Sequence, residues 1–314
     1  MIVNNISIHF DKTQKPICLS IGNFDGIHQG HKFIIDILIK ESHTLGLKAA
    51  VLSLNPHPRQ FFNQNFKEFN ITTESYKEEL LSLAGVDIFY KLKFDKEVAS
   101  LSPEYFINYF LIEKLNLKSL IIGENFRFGK DRKGNIDLLK RLSKEKKFDL
   151  HIVKSQKSNE TNEIFSSTKV REYIKEGNVD KVIKILNRPW NIKGIVQEGD
   201  KRARQMNFPT ANLLSPKTIL PKKGVYVVNV IYNSKSYSGI ANFGIRPTFD
   251  SNNFLLEVNI FDFNEEIYGK ELTVEFLAFI RDEKKFENLQ KLKEQVKKDV
   301  QSAKSYFVNN IKKN

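Results

Sequence analysis

A glycine-rich turn between an apolar segment and a helix-like segment is the feature that most constrains the fold of this chain. Residues 22–31, Gly-Asn-Phe-Asp-Gly-Ile-His-Gln-Gly-His, follow the apolar run 17–21 and precede the helically spaced apolar residues Phe33, Ile34, Ile37 and Leu38. A strand, a turn and a helix N-terminus direct backbone N–H groups and the helix dipole toward one point, where they bind phosphate. His28 and His31 add side-chain donors. The segment predicts a site for a nucleotide triphosphate whose α-phosphorus is attacked.

Length and composition favour a two-domain protein of the cytoplasm. The chain has 314 residues, and two domains of roughly 150 residues fit the usual domain size. No uncharged apolar run approaches the roughly 18 residues of a membrane span. The N-terminus lacks the basic start and long apolar core of a signal peptide. Cys18 is the single cysteine, so it is expected to be a small core residue rather than a disulfide partner or a nucleophile.

The positive net charge raises the question of nucleic-acid binding. Lys and Arg number 50 against 37 Asp and Glu, a net charge of +13, and such an excess is one mark of nucleic-acid-binding proteins. The lysines are scattered, however, with no block of about five or six like charges and no long basic tail. We therefore expect small polyanionic substrates and no nucleic-acid or membrane partner.

The first 186 residues alternate short apolar segments with longer amphipathic ones. Strands are predicted at 49–54, 119–122 and 150–153, and a helix over 103–117. This alternation is typical of a parallel sheet with helices on both faces. Ligands of such sheets bind beyond the carboxyl ends of the strands, which is where the glycine-rich turn lies.

The pattern changes near residues 187–190, where we place the boundary between domains 1–186 and 187–314. Short alternating segments follow at 192–196, 224–232, 237–243, 254–263 and 272–279, separated by turn residues. Their spacing predicts an antiparallel sandwich or barrel. Apolar residues from Phe286 to Phe307 then recur at steps of three and four, which predicts a terminal helix packed on its own domain.

Three more segments of the first domain lie near predicted strand or helix ends. They are residues 55–62, with Asn-Pro-His-Pro-Arg, residues 123–134, with glycines, aromatics and cations, and residues 165–171, with hydroxyls at a helix start. Alone, each is equally well explained as a proline-rich loop, a basic hairpin or a capped helix. Together they suit a planar aromatic ligand that carries phosphate. A zinc site at His28 and His31 is disfavoured, because no Cys or acidic cluster completes a tetrahedral set.

The second domain lacks a Walker phosphate-binding loop, so phosphoryl transfer there needs another arrangement of metal, phosphate cradle and base. Thr210 and Asn212 offer neighbouring oxygen donors for a hydrated Mg²⁺. Glu257 is the candidate base, as an acid within an apolar strand. From spacing alone, a solvent-facing strand residue is the more common explanation of Glu257.

The ordered motifs GxFDGxHxGH, HPRxFF, GxxFRFGKxRxG and SSTxVR resemble the adenylyltransferase half of the bacterial bifunctional riboflavin kinases/FMN adenylyltransferases. FPTANL, LPxxGVY, ANxGxxPTF, Glu257 and YGKxLxVxFxxFIRxExKF resemble the riboflavin kinase half. The resemblance implies a Rossmann-like nucleotidyltransferase domain followed by a Greek-key antiparallel barrel with a terminal helix. It further implies that riboflavin and then FMN are the flavin substrates, with ATP as co-substrate and Mg²⁺ as metal.

The resemblance also assigns roles to residues, with His28, His31 and Glu257 as the catalytic groups. It places ATP of the adenylyltransferase at Gly22, Asn23, Phe24, Asp25, Gly26, His28, His31, Ser167, Thr168 and Arg171. It places FMN at Asn55, Pro56, His57, Pro58, Arg59, Asn125, Arg127 and Phe128. It places the kinase substrates at Gly199, Arg204, Phe208, Pro209, Thr210, Asn212, Tyr226, Asn242, Glu257 and Arg281, with the metal at Thr210 and Asn212.

Three positions depart from the family pattern. Lys169 stands where Arg is usual, and Ala203 and Asn207 stand where Gly is usual. Lysine loses bidentate phosphate geometry, and alanine tolerates a left-handed backbone poorly. A second interpretation is therefore a flavin- or nucleotide-binding protein that retains only the adenylyltransferase activity. A third, a protein like the class I tRNA synthetases, explains the histidine corner but not the second domain. The sequence predicts no oligomeric state.

Overall fold

A computed structural model of the chain describes residues 1–63, 69–158, 162–198, 209–214, 218–248 and 251–311. The side chains of residues 214, 245–248, 251–254 and 311 are outside this description. The chain separates into two compact units, Met1–Ser167 and Thr168–Asn314. Each unit has its own sheet.

The first unit contains a parallel sheet, as predicted. Its strands are β1 (Ile2–Ile6), β2 (Ile17–Ile21), β3 (Lys48–Asn55), β4 (Ile88–Lys93), β5 (Leu117–Gly123) and β6 (Asp149–Val153). In the described chain they lie in the order β1-β4-β3-β2-β5-β6, and every adjacent pair is parallel. The three predicted strands correspond to β3, β5 and β6.

Helices connect these strands. They are α1 (Gln29–Leu45), α2 (Pro58–Phe62), α3 (Glu74–Leu83), α4 (Lys96–Ser100), α5 (Pro103–Tyr105) and α6 (Ile136–Lys146). The helix predicted over 103–117 begins as α5 and continues as a π-helix, Phe106–Lys114, whose last turn closes with the Leu115 N–H donating to the Phe110 carbonyl. Two further helices, α7 (Ser167–Glu176) and α8 (Val179–Leu186), precede the second sheet.

Both faces of the parallel sheet are buried. On one face Cys18 packs in a cluster with Ile35 and Leu38 of α1. On the other face Leu19 packs in a cluster with Phe110 and the α6 residue Leu139. Burial on both sides explains why the strands are continuous apolar runs. Burial also raises the pKa of the Cys18 thiol to about 11, so Cys18 is the core residue that the sequence predicts.

The strand order creates the position of a binding site. From β2 the chain continues to β3 on one side, whereas β5 lies on the other side of β2. This reversal is the point at which ligands of open α/β sheets bind, beyond the carboxyl ends of the strands. The loops that follow β2, β3 and β5 therefore meet along one edge of the sheet.

The second unit contains a closed antiparallel barrel. Its strands are β7 (Trp190–Gln197), β8 (Ala211–Leu214), β9 (Gly224–Tyr232), β10 (Lys235–Thr248), β11 (Ser251–Ile260) and β12 (Glu271–Asp282). In the described chain the barrel closes in the order β10-β11-β8-β7-β12-β9. Strand β8 pairs with β11 rather than with β9, which is a Greek-key connection. The fold that the resemblance implies is therefore confirmed.

The terminal helix α9 (Leu289–Ile311) covers the outside of this barrel. Ala303 is fully buried in a cluster with Val225, Val227 and Ile240. Side chains on the opposite face of these strands point into the barrel, where the rings of Tyr226 and Phe276 lie 5.0 Å apart. The predicted apolar stripe starts at Phe286, but the helix begins only at Leu289.

A buried ion pair attaches α9 to β12. The Nε and Nη2 atoms of Arg281 donate to the Asp299 carboxylate at 2.7–3.0 Å. The Asp299 side chain is 5% exposed, and Gln295 also donates to it at 2.8 Å. Removal of one partner would leave a buried charge without compensation.

We expect Asp299→Ala to lower the free energy of unfolding of the barrel by about 3–5 kcal/mol, because it leaves the buried Arg281 guanidinium without its anionic partner. The single tryptophan, Trp190, is buried in this unit, so its emission during urea unfolding measures the change. Glu294→Ala is the control in the same helix, since Glu294 pairs with Lys291 at 4.0 Å on the surface. It should change stability by about 0.5 kcal/mol or less. Equal effects of the two variants would contradict the prediction.

Two candidate active sites

The turn after β2 adopts an unusual backbone. Phe24 has φ 46°, Gly26 has φ 80° and Ile27 has φ 37°. Positive φ is an outlier for a β-branched residue such as isoleucine, and strained backbone of this kind clusters at functional sites. A Cβ at Gly26 would also lie 3.0 Å from the Ile71 side chain. The turn therefore requires glycine at position 26.

The two histidines of the corner lie against each other. His28 is the N-cap of α1, where its Nδ1 accepts the His31 backbone N–H at 3.3 Å. The two rings stack with centroids 3.7 Å apart at 17°, and the Phe24 ring lies 5.1 Å from His31. Because Nδ1 of His28 accepts, the neutral ring carries its proton on Nε2. The corner thus combines a helix N-terminus with an imidazole donor, as a phosphate site requires.

Asp25 anchors the loop that precedes α3. Its carboxylate accepts the Ile71 N–H at 2.9 and 3.0 Å and the Thr72 N–H at 3.3 Å. The side chain is 3% exposed. Its backbone carbonyl accepts the Ser167 hydroxyl at 2.8 Å. Asp25 therefore supports the shape of the turn, and direct contact of its carboxylate with the nucleotide stays a prediction.

The loop after β3 is joined to this corner. The Asn23 side-chain amide lies 2.9 Å from Nε2 of His57, and Nδ1 of His57 accepts the Arg59 N–H at 3.1 Å. A neutral ring that accepts at Nδ1 carries its proton on Nε2, so the Asn23 amide, flipped to exchange Nδ2 for Oδ1, is the matching acceptor. The structure thus brings the predicted ATP and FMN residues Asn23 and His57 into contact. The Asn55–Pro56 peptide bond between β3 and this loop is cis.

The loop after β5 is fastened to the one after β6. Glu124 accepts the Ser155 N–H at 2.8 Å, and this hydrogen bond lowers the pKa of the Glu124 carboxyl. Asn125, a predicted FMN residue, donates to the Ser155 hydroxyl at 3.3 Å. Arg127, the next predicted residue, is exposed. These contacts hold the loop at the edge where β2 ends.

Phe128, also predicted to contact FMN, belongs to the apolar core instead of the loop surface. It is 7% exposed in a cluster with Phe106, and its ring would clash with a Cβ at Gly134, at 2.8 Å. Phe126 stacks on it at 5.5 Å and 16° and is only half-buried. Phe126 is thus the more accessible ring, and no feature of the sequence distinguished the two.

The remaining predicted residues of the first site lie at the start of α7. Ser167 belongs to the first unit, whereas Thr168 and Arg171 belong to the second. Arg171 is 9% exposed. Ser167 contacts the histidine corner through its hydrogen bond to the Asp25 carbonyl.

The second candidate site is a row of polar side chains across three barrel strands. Strand register places Asn242 of β10 opposite Glu257 of β11, and Glu257 opposite Asn212 of β8. Asn242 also pairs with Val225, so the row lies on the outer face of the barrel. The Asn242 amide donates to the Glu257 carboxylate at 3.4 Å. Three residues far apart in sequence thus form one polar surface.

The donors in this row fit a Mg²⁺ ion. Oδ1 of Asn212 is buried and has no hydrogen-bond partner among the described residues. Asn212 lies opposite Glu257 in the strand pairing, and it follows Thr210 closely in the sequence. Neutral and anionic oxygens are the ligands that Mg²⁺ prefers, and the ion usually keeps several waters and binds substrate phosphates. Over the described chain, no group of three or more His, Cys, Asp or Glu side chains forms a metal cage.

Two residues predicted for the kinase site have structural contacts. Tyr226 points into the barrel, where burial raises the pKa of its hydroxyl and the hydroxyl donates to the Lys222 carbonyl. Arg281 forms the ion pair with Asp299. Gly199, Arg204 and Phe208, together with the departures Ala203 and Asn207, lie outside the described residues. Binding by Tyr226 and Arg281 stays a prediction.

One residue beside the second site was missed in the sequence. The amide of Asn259 donates to the Pro209 carbonyl at 2.7 Å, next to Thr210. A polar residue two positions after Glu257, on the same face of the strand, was the available signal.

Comparison with known proteins gives two family matches in the expected order. Residues 10–169 match the family described as FAD synthetase, and residues 186–307 match riboflavin kinase. A bifunctional riboflavin kinase/FMN adenylyltransferase of Buchnera aphidicola from Acyrthosiphon pisum is 38% identical, over 94% of this chain and 94% of its own length. This chain belongs to the family of bifunctional riboflavin kinases/FMN adenylyltransferases. The resemblance stated from the motifs is confirmed.

Two more relatives support the whole-length match. The family member of Bacillus subtilis strain 168 is 35% identical over 94% of both chains. A crystal structure from Streptococcus pneumoniae, described as a macrolide-efflux protein, is 31% identical with a TM-score of 0.88 and covers 97% of this chain and 99% of its own. In the described part of the present chain, no helix is long and apolar enough to cross a membrane.

We expect Asp25→Asn to weaken the loop at Ile71 and Thr72, because one carboxylate oxygen is replaced by an amide group that faces backbone donors. Loss of these hydrogen bonds costs about 1–3 kcal/mol. Hydrogen exchange at the two amides should therefore accelerate about 5- to 150-fold, and FAD formation should fall with it.

Asp36→Asn is the matched control, because Asp36 is an exposed aspartate of α1 at 3.8 Å from Lys32. It should leave both measurements unchanged. If Asp25→Asn abolishes FAD formation without changing exchange, the carboxylate acts on the ligand rather than on the loop.

Proposed function

We propose that this chain makes FAD from riboflavin in two steps. Residues 187–314 transfer the γ-phosphoryl group of ATP to riboflavin and form FMN. Residues 1–186 then transfer the adenylyl group of a second ATP to FMN, with release of pyrophosphate. The observation that carries the proposal is the pair of separate sites, the histidine corner at the sheet edge and the Asn242–Glu257–Asn212 row on the barrel.

The adenylyltransferase step needs no covalent intermediate. A phosphate oxygen of FMN attacks the α-phosphorus of ATP, and the bond to the bridging oxygen of pyrophosphate breaks. Charge moves onto the leaving pyrophosphate, so donors fixed in place beforehand stabilise the transition state most. His28 and His31 supply such donors at the helix N-terminus. Nδ1 of His28 accepts the His31 N–H, which leaves Nε2 of His28 as a donor, and the His31 ring stacks on the His28 ring.

The order of strands also explains where FMN is expected. The loops after β3 and β5 lie at the edge that holds the histidine corner, and the Asn23–His57 contact joins the loop after β3 to that corner. We propose that Asn55–Arg59 together with Asn125 and Arg127 contact FMN. Phe126 offers its accessible ring to the isoalloxazine.

In the kinase step the 5′-hydroxyl of riboflavin attacks the γ-phosphorus, and the bond to ADP breaks. Glu257 accepts the hydroxyl proton, and Asn242 orients the Glu257 carboxylate through its amide. Thr210 and Asn212 are the proposed ligands of Mg²⁺, which neutralises triphosphate charge when bound. The intact row favours a working kinase over a protein that retains only the adenylyltransferase activity.

Substrates of this kind also account for the basic charge without nucleic acid. Both ATP and FMN are polyanions, and scattered lysines raise their local concentration. The cytoplasmic location and the functional boundary at 186/187 remain predictions.

The direct test is incubation of the purified chain with riboflavin, ATP and Mg²⁺, followed by chromatography of the flavins. FMN is expected first and FAD later. If neither FMN nor FAD forms, the proposal is refuted. If FAD forms only from added FMN, the result favours the alternative that the chain retains only the adenylyltransferase activity.

We expect His31→Ala to lower FAD formation about 10²-fold or more, because a donor to the charge developing on the phosphates is removed. FMN should still form and accumulate, since the barrel site is separate. His43→Ala is the control, an exposed histidine near the end of the same helix, and should make FAD at the normal rate. Loss of both products in His31→Ala would mean that the two sites are not independent.

We expect Glu257→Gln to lower the riboflavin kinase rate about 10²-fold or more, because glutamine does not accept the hydroxyl proton. FAD formation from added FMN should be unchanged. Glu275→Gln is the control, because Glu275 is a half-buried barrel glutamate that accepts an asparagine amide, that of Asn229, at 2.7 Å. A normal kinase rate in Glu257→Gln would remove Glu257 from the reaction.

A further inference from the structure

Asn259 occupies an unusual place in strand β11. It is 7% exposed and lies two residues after Glu257, so both side chains point to the outer face of the barrel. Its Nδ2 donates to the Pro209 carbonyl at 2.7 Å. Because a carbonyl only accepts hydrogen bonds, the orientation of this amide is determined by its partner. Asn259 therefore ties β11 to the residue before Thr210.

This hydrogen bond lies just beyond the end of the backbone pairing between β8 and β11. Pairing of β8 with β11 ends at Ala211 opposite Val258. Pro209 carries no N–H and cannot continue the ladder as a donor. The next residue of β11 is Asn259, and its side chain supplies a hydrogen bond to the Pro209 carbonyl at that point. The segment Pro209–Thr210 is thus held to β11 by a side chain rather than by the strand pairing itself.

The backbone at Asn259 is itself closely held. It pairs with Ile240 of β10, and a Cβ at Gly239 would lie 2.7 Å from the Asn259 carbonyl oxygen. Ile240 is buried in the cluster under α9. A side chain that extends from so constrained a strand places its partner within a small range of positions.

We propose that Asn259 is a positioning residue of the kinase site, which fixes Pro209 and thereby sets Thr210 beside Asn212 and Glu257. The inference rests on the proposed Mg²⁺ ligands. The short strand β8, four residues long, has few ladder hydrogen bonds of its own to hold Thr210 in place. Asn259 acts on the affinity for Mg²⁺ and nucleotide and touches neither substrate nor the transferred phosphoryl group.

Three substitutions test this role in the full chain. Asn259→Asp has the same shape but places a carboxylate oxygen against the Pro209 carbonyl. Asn259→Ser shortens the side chain, so that its hydroxyl no longer reaches the Pro209 carbonyl, adds no charge, and serves if the aspartate variant fails to fold. Asn259→His restores the donor, since Nδ1 of histidine is as many bonds from Cα as Nδ2 of asparagine.

Two further variants are controls. Asn229→Asp changes another barrel asparagine with a side-chain acceptor, Glu275 at 2.7 Å, and reports the effect of lost stability alone. Asn212→Ala removes a proposed metal ligand and tests the site itself. Trp190 emission during urea unfolding measures the stability of each variant.

The readouts are the Mg²⁺ concentration for half-maximal kinase rate, the KM for ATP, and the quenching of riboflavin fluorescence with ADP and increasing Mg²⁺. The last of these does not depend on turnover. For Asn259→Asp and Asn259→Ser we expect both half-saturation values for Mg²⁺ to rise about tenfold or more, corresponding to one lost buried hydrogen bond. Asn259→His should restore them, and FAD formation from FMN should be unchanged in all.

Two results would overturn the proposal. If Asn259→Asp and Asn259→Ser change only stability, as Asn229→Asp does, the hydrogen bond has only a structural role. In that case a strong effect of Asn212→Ala would still support the proposed metal site. If Asn212→Ala also leaves the kinase unchanged, the proposed metal site is wrong and the role of Asn259 falls with it.

Discussion

Both candidate sites depend on the register of hydrogen-bonded strands. In the barrel, the pairing of β10, β11 and β8 puts Asn242, Glu257 and Asn212 in one row. Successive side chains of a strand point to opposite faces, so a slip of one residue would move a member of this row into the barrel. In the parallel sheet, the position of β2 between β3 and β5 brings their carboxyl ends together. The chemistry of each site follows from these pairings.

Several polar residues that were predicted for the two sites make structural contacts inside the protein. Asp25 satisfies the backbone N–H groups of Ile71 and Thr72, and Arg281 forms a buried ion pair with Asp299. A buried polar group that lacks a partner costs free energy, so such groups are engaged inside the protein. The amide oxygen of Asn212 is one of several buried polar atoms that have no hydrogen-bond partner in the described part of the chain, and it lies in the row with Glu257. The position of this oxygen opposite a carboxylate is the physical basis for the metal site that we propose.

The two sites are held in different ways. The histidine corner depends on a strained turn, with positive φ at Phe24, Gly26 and Ile27, and on a helix that starts at its rim. The barrel site depends on strand pairing and on side chains such as Asn259 that continue it. A turn beside a helix N-terminus suits the binding of phosphate by backbone groups. A row of side chains on a sheet suits a metal and a base, which need defined atoms at defined separations.

Much of the fold follows from local patterns in the sequence. Apolar runs buried on both faces predict β3, β5 and β6, and alternating segments predict most of the barrel, because periodicity reports how many faces of an element are covered. Strand β8 was missed since four residues are too short to show a period. The start of α9 was set three residues early, since an apolar stripe does not define a helix end.

The sequence by itself determined the family and the order of the two domains, and it predicted the residue types of both candidate sites, because motifs of contiguous residues are visible without a structure. Only the tertiary structure decided that Asp25, Tyr226 and Phe128 are held in structural contacts, that Phe126 is the accessible ring, and that Asn259 reaches Pro209. These outcomes depend on which residues distant in sequence become neighbours. That is a consequence of strand pairing and packing over the whole unit, and no local pattern contains it.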